Sequence, residues 1–174
     1  MSAHAQQLTR AVTEIERHAA GRGWDQPPRL YALAPTEELI RREPGLAVRL
    51  GAGTGAVQSE GLTPVEQELP DRSLEDVLAT ITWPDTVTGC ALVVERIVLP
   101  PDAEQTMPDD PDDAVTWAQN HPGRTDVRIV VGVLRDGSRS SVLRVRGHDD
   151  DTDLIHDPDF SPDLGAALAE TLAE

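Results

Sequence analysis

The sequence predicts an α+β protein in which an antiparallel or mixed β-sheet packs with N-terminal, internal and C-terminal helices. Three observations predict this class. Apolar residues recur at helical spacing near both ends of the chain, an apolar strand covers 89–99, and a hairpin follows at 125–146. With 174 residues the chain is long enough for one sizeable core, so we expect 1–174 to form a single domain.

In the N-terminal half, the spacing of apolar residues and the turn residues between them define five elements. They are helices over 3–20, 36–42 and 73–81, and strands over 29–34 and 65–69. Ser73 caps the third helix. The glycine-rich stretch at 51–64 predicts a mobile loop.

In the C-terminal half, the strand at 89–99 is apolar on both faces, which predicts a central strand covered on both sides. Aspartates then open a helix near 109–121, with Val115 and Trp117 as its expected anchors. A last helix begins near Pro162 and presents a leucine stripe on one face.

The hairpin at 125–146 turns at Asp136 and Gly137, and its register depends on the loop length. A two-residue loop would place Ile129 opposite Arg144. A three-residue loop or a bulge would place Ile129 opposite Val145, which keeps one face apolar. We therefore predict the second register.

The charge pattern excludes several functions. The net charge is −16, and all fifteen basic residues are arginines, so lysine Schiff bases and P-loop lysines are excluded. The acidic balance argues against nucleic acids and anionic membranes as partners and fits a basic protein partner. With one cysteine and no signal-peptide pattern, the sequence predicts a cytoplasmic protein.

The charges are also segregated along the chain. Residues 124–146 carry a net +4, whereas 147–174 contain nine acids and no lysine or arginine. In the predicted register, Arg128 and Arg146 face each other on the side away from the core, with Arg144 beside them. Three guanidinium groups on one strand face need an anionic partner.

Two partners for these arginines remain open. One is internal: the aspartates at 149, 150, 151 and 153 fold back as a strap and pair with the hairpin, at modest gain per exposed pair. The other is external: a carboxylate, a phosphate or an acidic peptide binds Arg128, Arg144 and Arg146. We favour the strap, because the acids are adjacent in sequence and close a short loop.

The acidic segment at 147–160 raises the question of a metal site. It fails as a calcium loop, because Leu154 and Phe160 occupy the positions that require glycine and glutamate. A weak divalent-metal site remains as an alternative to a solvated linker into the last helix. Its candidate ligands are His148, Asp149, Asp151, Asp153 and His156.

Other motifs carry little chemistry. GAGTGA at 51–56 resembles a dinucleotide-binding turn, but Gly61 and Pro64 leave no room for the required helix. Cys90 lies inside the apolar strand and is expected to be a buried, unreactive thiol. Glu95 is expected to form an ion pair. We predict no cofactor.

Three motifs, WDQPPRLYAL, LTPVEQE and WPDTVTGCALVVERIVLPP, resemble a conserved actinobacterial protein family of unknown function. The resemblance covers nearly the whole chain and implies a bacterial, cytoplasmic protein, but it brings no assigned activity or catalytic residues. The order of elements is also similar to the secretion-chaperone-like fold, an analogy of fold alone.

These observations predict a non-enzymatic binding, adaptor or chaperone-like protein whose acidic surface meets a basic partner, with a homodimer as one expected assembly. The alternative is an enzyme that depends on a small molecule or a divalent metal. It would use the 148–157 segment together with the arginine-rich hairpin.

Overall fold

The computed structural model describes residues 3–42, 61–148, 150–157 and 160–173. Within these residues the protein forms one six-stranded sheet of order β2-β1-β3-β4-β5-β6, in which every neighbouring pair is antiparallel. The α+β prediction is confirmed. Of the loop predicted at 51–64, residues 51–60 lie outside the described part of the chain. The loop prediction is wrong at 62–64, because the strand predicted at 65–69 is Leu62–Gln67 and pairs with its neighbour from Leu62 onward.

The described residues form five α-helices and six strands. The helices are α1 (Ala3–Arg22), α2 (Thr36–Arg42), α3 (Leu74–Thr80), α4 (Pro111–Gln119) and α5 (Pro162–Leu172). The strands are β1 (Arg29–Pro35), β2 (Leu62–Gln67), β3 (Gly89–Val98), β4 (Thr125–Leu134), β5 (Arg139–Val145) and β6 (Ile155–Asp157). Two 3₁₀ segments, Pro101–Thr106 and Asp151–Asp153, and strand β6 were not predicted.

Helix α1 covers one face of the sheet. Its buried residues include Leu8, Val12 and Ile15, which join a core cluster with Tyr31 and residues of the central strands. The helix passes very close to β4, because a Cβ atom added at Gly132 would lie 2.6 Å from Val12 Cγ1. Glycine at that position permits the close contact.

Helices α3 and α5 cover the opposite face. The predicted stripe of Leu164, Leu168 and Leu172 is buried there, together with Val77 of α3. The Ser73 hydroxyl caps α3 by accepting from the backbone N–H of Asp76 at 3.2 Å. The sheet therefore lies between two helical layers, and β3 is buried on both faces from residue 89 to 94, as predicted.

The predicted hairpin register is wrong by two residues. Ile129 pairs with Leu143, and Val127 pairs with Val145. The loop does contain three residues, 135–137, and Gly137 adopts a φ of +91°. A shift of two residues leaves every side chain on its original face, so the apolar pattern cannot separate the two registers.

Helix α4 also differs from expectation, because none of its residues is buried. Val115, an expected anchor, is 57% exposed, while Trp117 is half-buried and meets the edge of the His121 ring at 5.1 Å between centroids. The helix is stabilised locally: Asp110 accepts hydrogen bonds from the first turn, and Pro111 begins it.

Candidate functional site

Two of the three arginines predicted on the strand face away from the core lie in the protein interior. Arg128 and Arg144 are each 1% exposed, and they face each other across β4 and β5. Helix α1 packs over this face and places the fully buried Glu16 between them. The expectation that this face points away from the core is therefore wrong. Helix α1 covers the face, and the charge of Glu16 offsets the charges of the two arginines buried there.

The Glu16 carboxylate is saturated by this pair. Arg144 donates from Nη2 to Oε1 at 2.7 Å and from Nε to Oε2 at 2.9 Å, and Arg128 donates from Nη1 to Oε2 at 2.9 Å. Arg128 also donates to the carbonyl oxygen of Gly23 at 2.8 Å. Buried charges persist only when paired and hydrogen-bonded in this way, so the geometry indicates a structural cluster.

The third arginine, Arg146, holds the connector between α1 and β1. Trp24 of that connector stacks on Arg128, whose Cζ lies 4.4 Å from the ring centroid, and Arg146 lies 5.6 Å from it. Arg146 donates to both carboxylate oxygens of Asp25, at 3.1 and 3.2 Å. The motif WDQPP thus fastens the chain to the end of the sheet.

Glu95 belongs to the same arrangement, although not as the expected ion pair. Its carboxylate accepts from the backbone N–H groups of Asp25 and Gln26, at 2.8 and 2.9 Å. These bonds stabilise a backbone in which Asp25 has a φ of +65°, a conformation that L-residues rarely adopt. We interpret Glu95 as a positioning residue for the connector.

The predicted strap reaches the hairpin through its backbone. Arg144 Nη1 donates to the carbonyl oxygens of His148 and Asp150, at 2.9 and 3.1 Å. The Asp150 carboxylate accepts from the backbone N–H and the hydroxyl of Thr152, and these bonds lower its pKa. Asp149 and the Asp151 side chain lie outside the described residues, so pairing by those acids stays a prediction.

The acidic segment is only partly a linker. Strand β6 joins the edge of the sheet, where His156 pairs with Val142 of β5. Among the residues that the structure describes, no group of three histidine, cysteine, aspartate or glutamate side chains is arranged to hold a metal ion. The metal site proposed on His148 and its neighbours includes residues outside that part and stays a prediction.

Cys90 is the buried core thiol that its strand predicts. The side chain is fully buried, and burial raises its pKa to about 11. Its Sγ atom lies 3.7 Å from the carbonyl oxygen of Leu168. A protonated, enclosed thiol is a poor nucleophile, so Cys90 contributes packing.

An external anion at the arginines also stays a prediction, and the geometry constrains it. Such a ligand would have to displace Glu16 from Arg128 and Arg144, or bind at Arg146, whose side chain is 42% exposed.

The anionic partner that the sequence predicted for these arginines is Glu16 of α1. The available signal was the spacing, since Glu16 continues the series Leu8 and Val12 at intervals of four.

A groove between α3 and α5 is the candidate site on the protein surface. We name it the α3–α5 groove; its volume is about 530 Å³. Its apolar lining consists of Leu74, Leu78, Ala79, Leu164 and Ala167. Three exposed acids, Glu75, Asp163 and Glu170, lie along it, with Arg96 as its basic residue.

The helical repeat explains how the sequence builds this groove. In α5, Asp163, Ala167 and Glu170 are spaced by four and three residues, so they lie on one stripe beside the buried leucines. Leu74 and Leu78 of α3 face them at the same spacing. Sequence reasoning missed the groove because two helices far apart in the chain form it only after both dock on the sheet.

Across the described ranges, no helix combines the length and the apolar character needed to cross a bilayer.

Comparison with known proteins identifies the family of the chain. No curated protein and no solved structure matches the chain. A family model described as PPA1309-like protein matches residues 8–173. This family has no known function and takes its name from a bacterial protein, and it is the one to which the chain belongs.

Proposed function

We propose that the protein is a non-enzymatic adaptor whose α3–α5 groove binds a basic, partly apolar segment of another protein. The observation that supports this proposal is an apolar groove bordered by three carboxylates. None of Glu75, Asp163 and Glu170 has an ion-pair partner among the described side chains. Apolar contact and unneutralised charge thus occur at one place.

Each part of the groove would contribute differently to binding. Burying one leucine-sized side chain on the apolar floor contributes about 1.5–3 kcal/mol. The carboxylates select lysine or arginine beside that side chain, and they speed association by attracting a basic partner. An amphipathic helix with basic flanks fits this pattern of recognition.

The distribution of the remaining charge supports a basic partner. Arg128 and Arg144 are buried, so their charges contribute little to the surface. The acids, by contrast, are mostly exposed, including those that open α4. Because Glu16 is buried with the two arginines, the cluster withdraws only one net positive charge, and the surface keeps the strongly acidic character that the net charge of −16 indicates. Such a surface steers cations toward the groove.

The test uses a synthetic amphipathic peptide with leucine on one face and lysine on the other. Its charge-reversed counterpart replaces each lysine by glutamate. We expect the basic peptide to bind, measured by fluorescence anisotropy, and the acidic one to fail. Raising the salt from about 0.05 M to about 0.5 M should weaken binding, because the charges become screened.

A matched pair of variants localises the binding. The rim variant carries Glu75→Gln, Asp163→Asn and Glu170→Gln, and we expect it to bind about tenfold more weakly. The control carries Glu37→Gln, Asp71→Asn and Asp85→Asn, which change the charge equally on exposed residues elsewhere. If both variants lost peptide affinity equally, the effect would come from net charge alone, and the groove would be refuted as the binding site.

The enzymatic alternative has a direct test of its own. Native mass spectrometry of the protein purified from its own host would reveal a bound metal ion or small molecule as extra mass. A bound metal that is lost in a His148→Ala variant would favour the alternative. The structure lends that alternative less support, because Arg128 and Arg144 already bind Glu16.

A further inference from the structure

A separate cavity of about 310 Å³ lies on the face of the sheet that α1 covers. It is lined by Glu14, Ile15, His18, Tyr31, Pro64 and Glu66. These residues come from α1, β1 and the edge strand β2. The α3–α5 groove lies on the opposite face, so the two sites can be tested independently.

Tyr31 is the unusual member of this lining. The residue is 5% exposed, and its buried hydroxyl has no well-formed hydrogen bond to any residue that the structure describes. Buried hydroxyl groups are nearly always hydrogen-bonded in native proteins, so an unpartnered one calls for an explanation. A ligand in the adjoining cavity would supply the missing partner.

Glu66 faces Tyr31 directly in the β1–β2 register. Its Oε1 atom accepts from Arg29 at 2.7 Å and from Arg22 at 3.2 Å. The hydrogen bond from Arg29 is the main cause of a lowered Glu66 pKa, so the carboxylate stays ionised. Its Oε2 atom accepts no hydrogen bond from the described residues.

The two groups are close, but no hydrogen bond of normal length and angle joins them. Burial raises the pKa of the Tyr31 phenol, and Glu66 adds to that increase through its negative charge and a weak hydrogen-bonding contact. The phenol therefore remains neutral and can accept a hydrogen bond. A neutral oxygen beside a carboxylate oxygen is a favourable setting for a ligand that donates several hydrogen bonds.

The remaining lining defines the charge and shape of such a ligand. Glu14 adds a second carboxylate, exposed and without an ion-pair partner among the described residues. Ile15 and Pro64 supply apolar wall. No arginine of the described ranges lines the cavity, although Arg22 and Arg29 bind Glu66 beside it. Its volume lies at the lower end of the range for ligand pockets, roughly 300–1,000 Å³.

We infer that this cavity binds a small organic ammonium ion. The ammonium group donates hydrogen bonds to Glu66 Oε2, the Tyr31 hydroxyl and the Glu14 carboxylate, and the hydrocarbon part packs on Ile15 and Pro64. An anion is disfavoured by the unpaired Glu14 carboxylate, while the charge of Glu66 is already offset by Arg22 and Arg29. A bare metal ion is disfavoured because it would leave the apolar wall uncovered.

The experiment exploits the fact that Tyr31 is the single tyrosine of the chain. Carbon-13 labelling of tyrosine gives one phenol signal, which NMR follows while the full-length protein is titrated. The probes are butylammonium, butanol and butyrate, which share one hydrocarbon chain and differ in charge. We expect a saturable shift with butylammonium, at a Kd on the order of 1 mM, and none with the other two.

Two variants connect the signal to the site. Glu14→Gln should weaken butylammonium binding about three- to tenfold, whereas Glu37→Gln, on α2, should leave it unchanged. Tyr31→Phe should weaken binding, measured by calorimetry, without lowering the urea midpoint of the free protein, since no described residue makes a well-formed hydrogen bond to the hydroxyl.

Four results would overturn the inference. Three concern binding: an absence of saturable binding, equal responses to all three probes, and equal effects of Glu14→Gln and Glu37→Gln. The fourth is a lower urea midpoint for Tyr31→Phe, because the hydroxyl would then have a structural partner. Binding of the basic peptide to the α3–α5 groove would be unaffected in each case.

Discussion

Glu16 carries one negative charge between two buried guanidinium groups, and the interior depends on it. An ion pair of this kind gains little over a well-packed apolar replacement, because all three charges lose their hydration. Removing one partner is different, since the remaining charges stay buried and uncompensated. This asymmetry makes Glu16 the residue at which a small change should cost most.

We predict that Glu16→Gln lowers the free energy of unfolding by about 3–5 kcal/mol, because Arg128 and Arg144 lose their counter-charge while the packing is kept. Urea denaturation measures the change. Glu14→Gln, on the exposed side of the same helix, is the control, with an expected effect within about 0.5 kcal/mol. Similar losses in the two variants would contradict the structural role of Glu16.

The sequence predicted the arginines of the buried cluster but not Glu16. The three arginines were recognised as needing an anionic partner, because like charges on one strand face repel. The partner was missed because a glutamate in an amphipathic helix is usually exposed. Its identity depends on which face of α1 meets the sheet, and this is decided by the packing of Leu8 and Val12 against Gly132.

Glycine has opposite roles in two elements of this fold. Gly137 closes the β4–β5 turn with a φ of +91°, whereas Gly21 lies in α1 with no positive φ. A Cβ atom at either position would meet no neighbour within 4 Å. An alanine side chain would therefore cause no steric clash at either position. The backbone conformation alone decides whether alanine raises or lowers the free energy of unfolding.

We predict that Gly137→Ala destabilises the protein by about 1–2 kcal/mol, the cost of a left-handed conformation for an L-residue. Gly21→Ala should stabilise it by about 0.5–1 kcal/mol, through helix propensity. Thermal and urea unfolding measure both. Changes of the same sign would show that the turn or the helix end differs from this structure.

The elements themselves were largely predictable, because apolar periodicity and turn residues are local signals. Strands β1, β3 and β4, and helices α1, α3 and α5, all lie where the pattern placed them. The hairpin register was not predictable, since the observed register differs from the predicted one by two residues and both place the same side chains on each face. Strand β6 was missed because its three residues, all exposed, show no alternation.

Over the whole molecule, the net charge of −16 opposes folding through self-repulsion. We predict that sodium chloride, raised from about 0.05 M to about 0.5 M, increases the thermal midpoint, because screening shortens the range of repulsion. The Glu75→Gln, Asp163→Asn, Glu170→Gln variant should gain less from added salt, having less repulsion to screen. A midpoint that falls with salt would indicate that ion pairs outweigh repulsion.

By itself, the sequence determined the fold class, the order of most elements and the acidic character of the surface, because these follow from local periodicity and composition. Only the tertiary structure decided which charges meet. Docking α1 on the sheet buried the arginines against Glu16, docking α3 beside α5 created the groove, and pairing β1 with β2 placed Tyr31 opposite Glu66. Contacts between residues distant in the chain leave no periodic signal in any one segment.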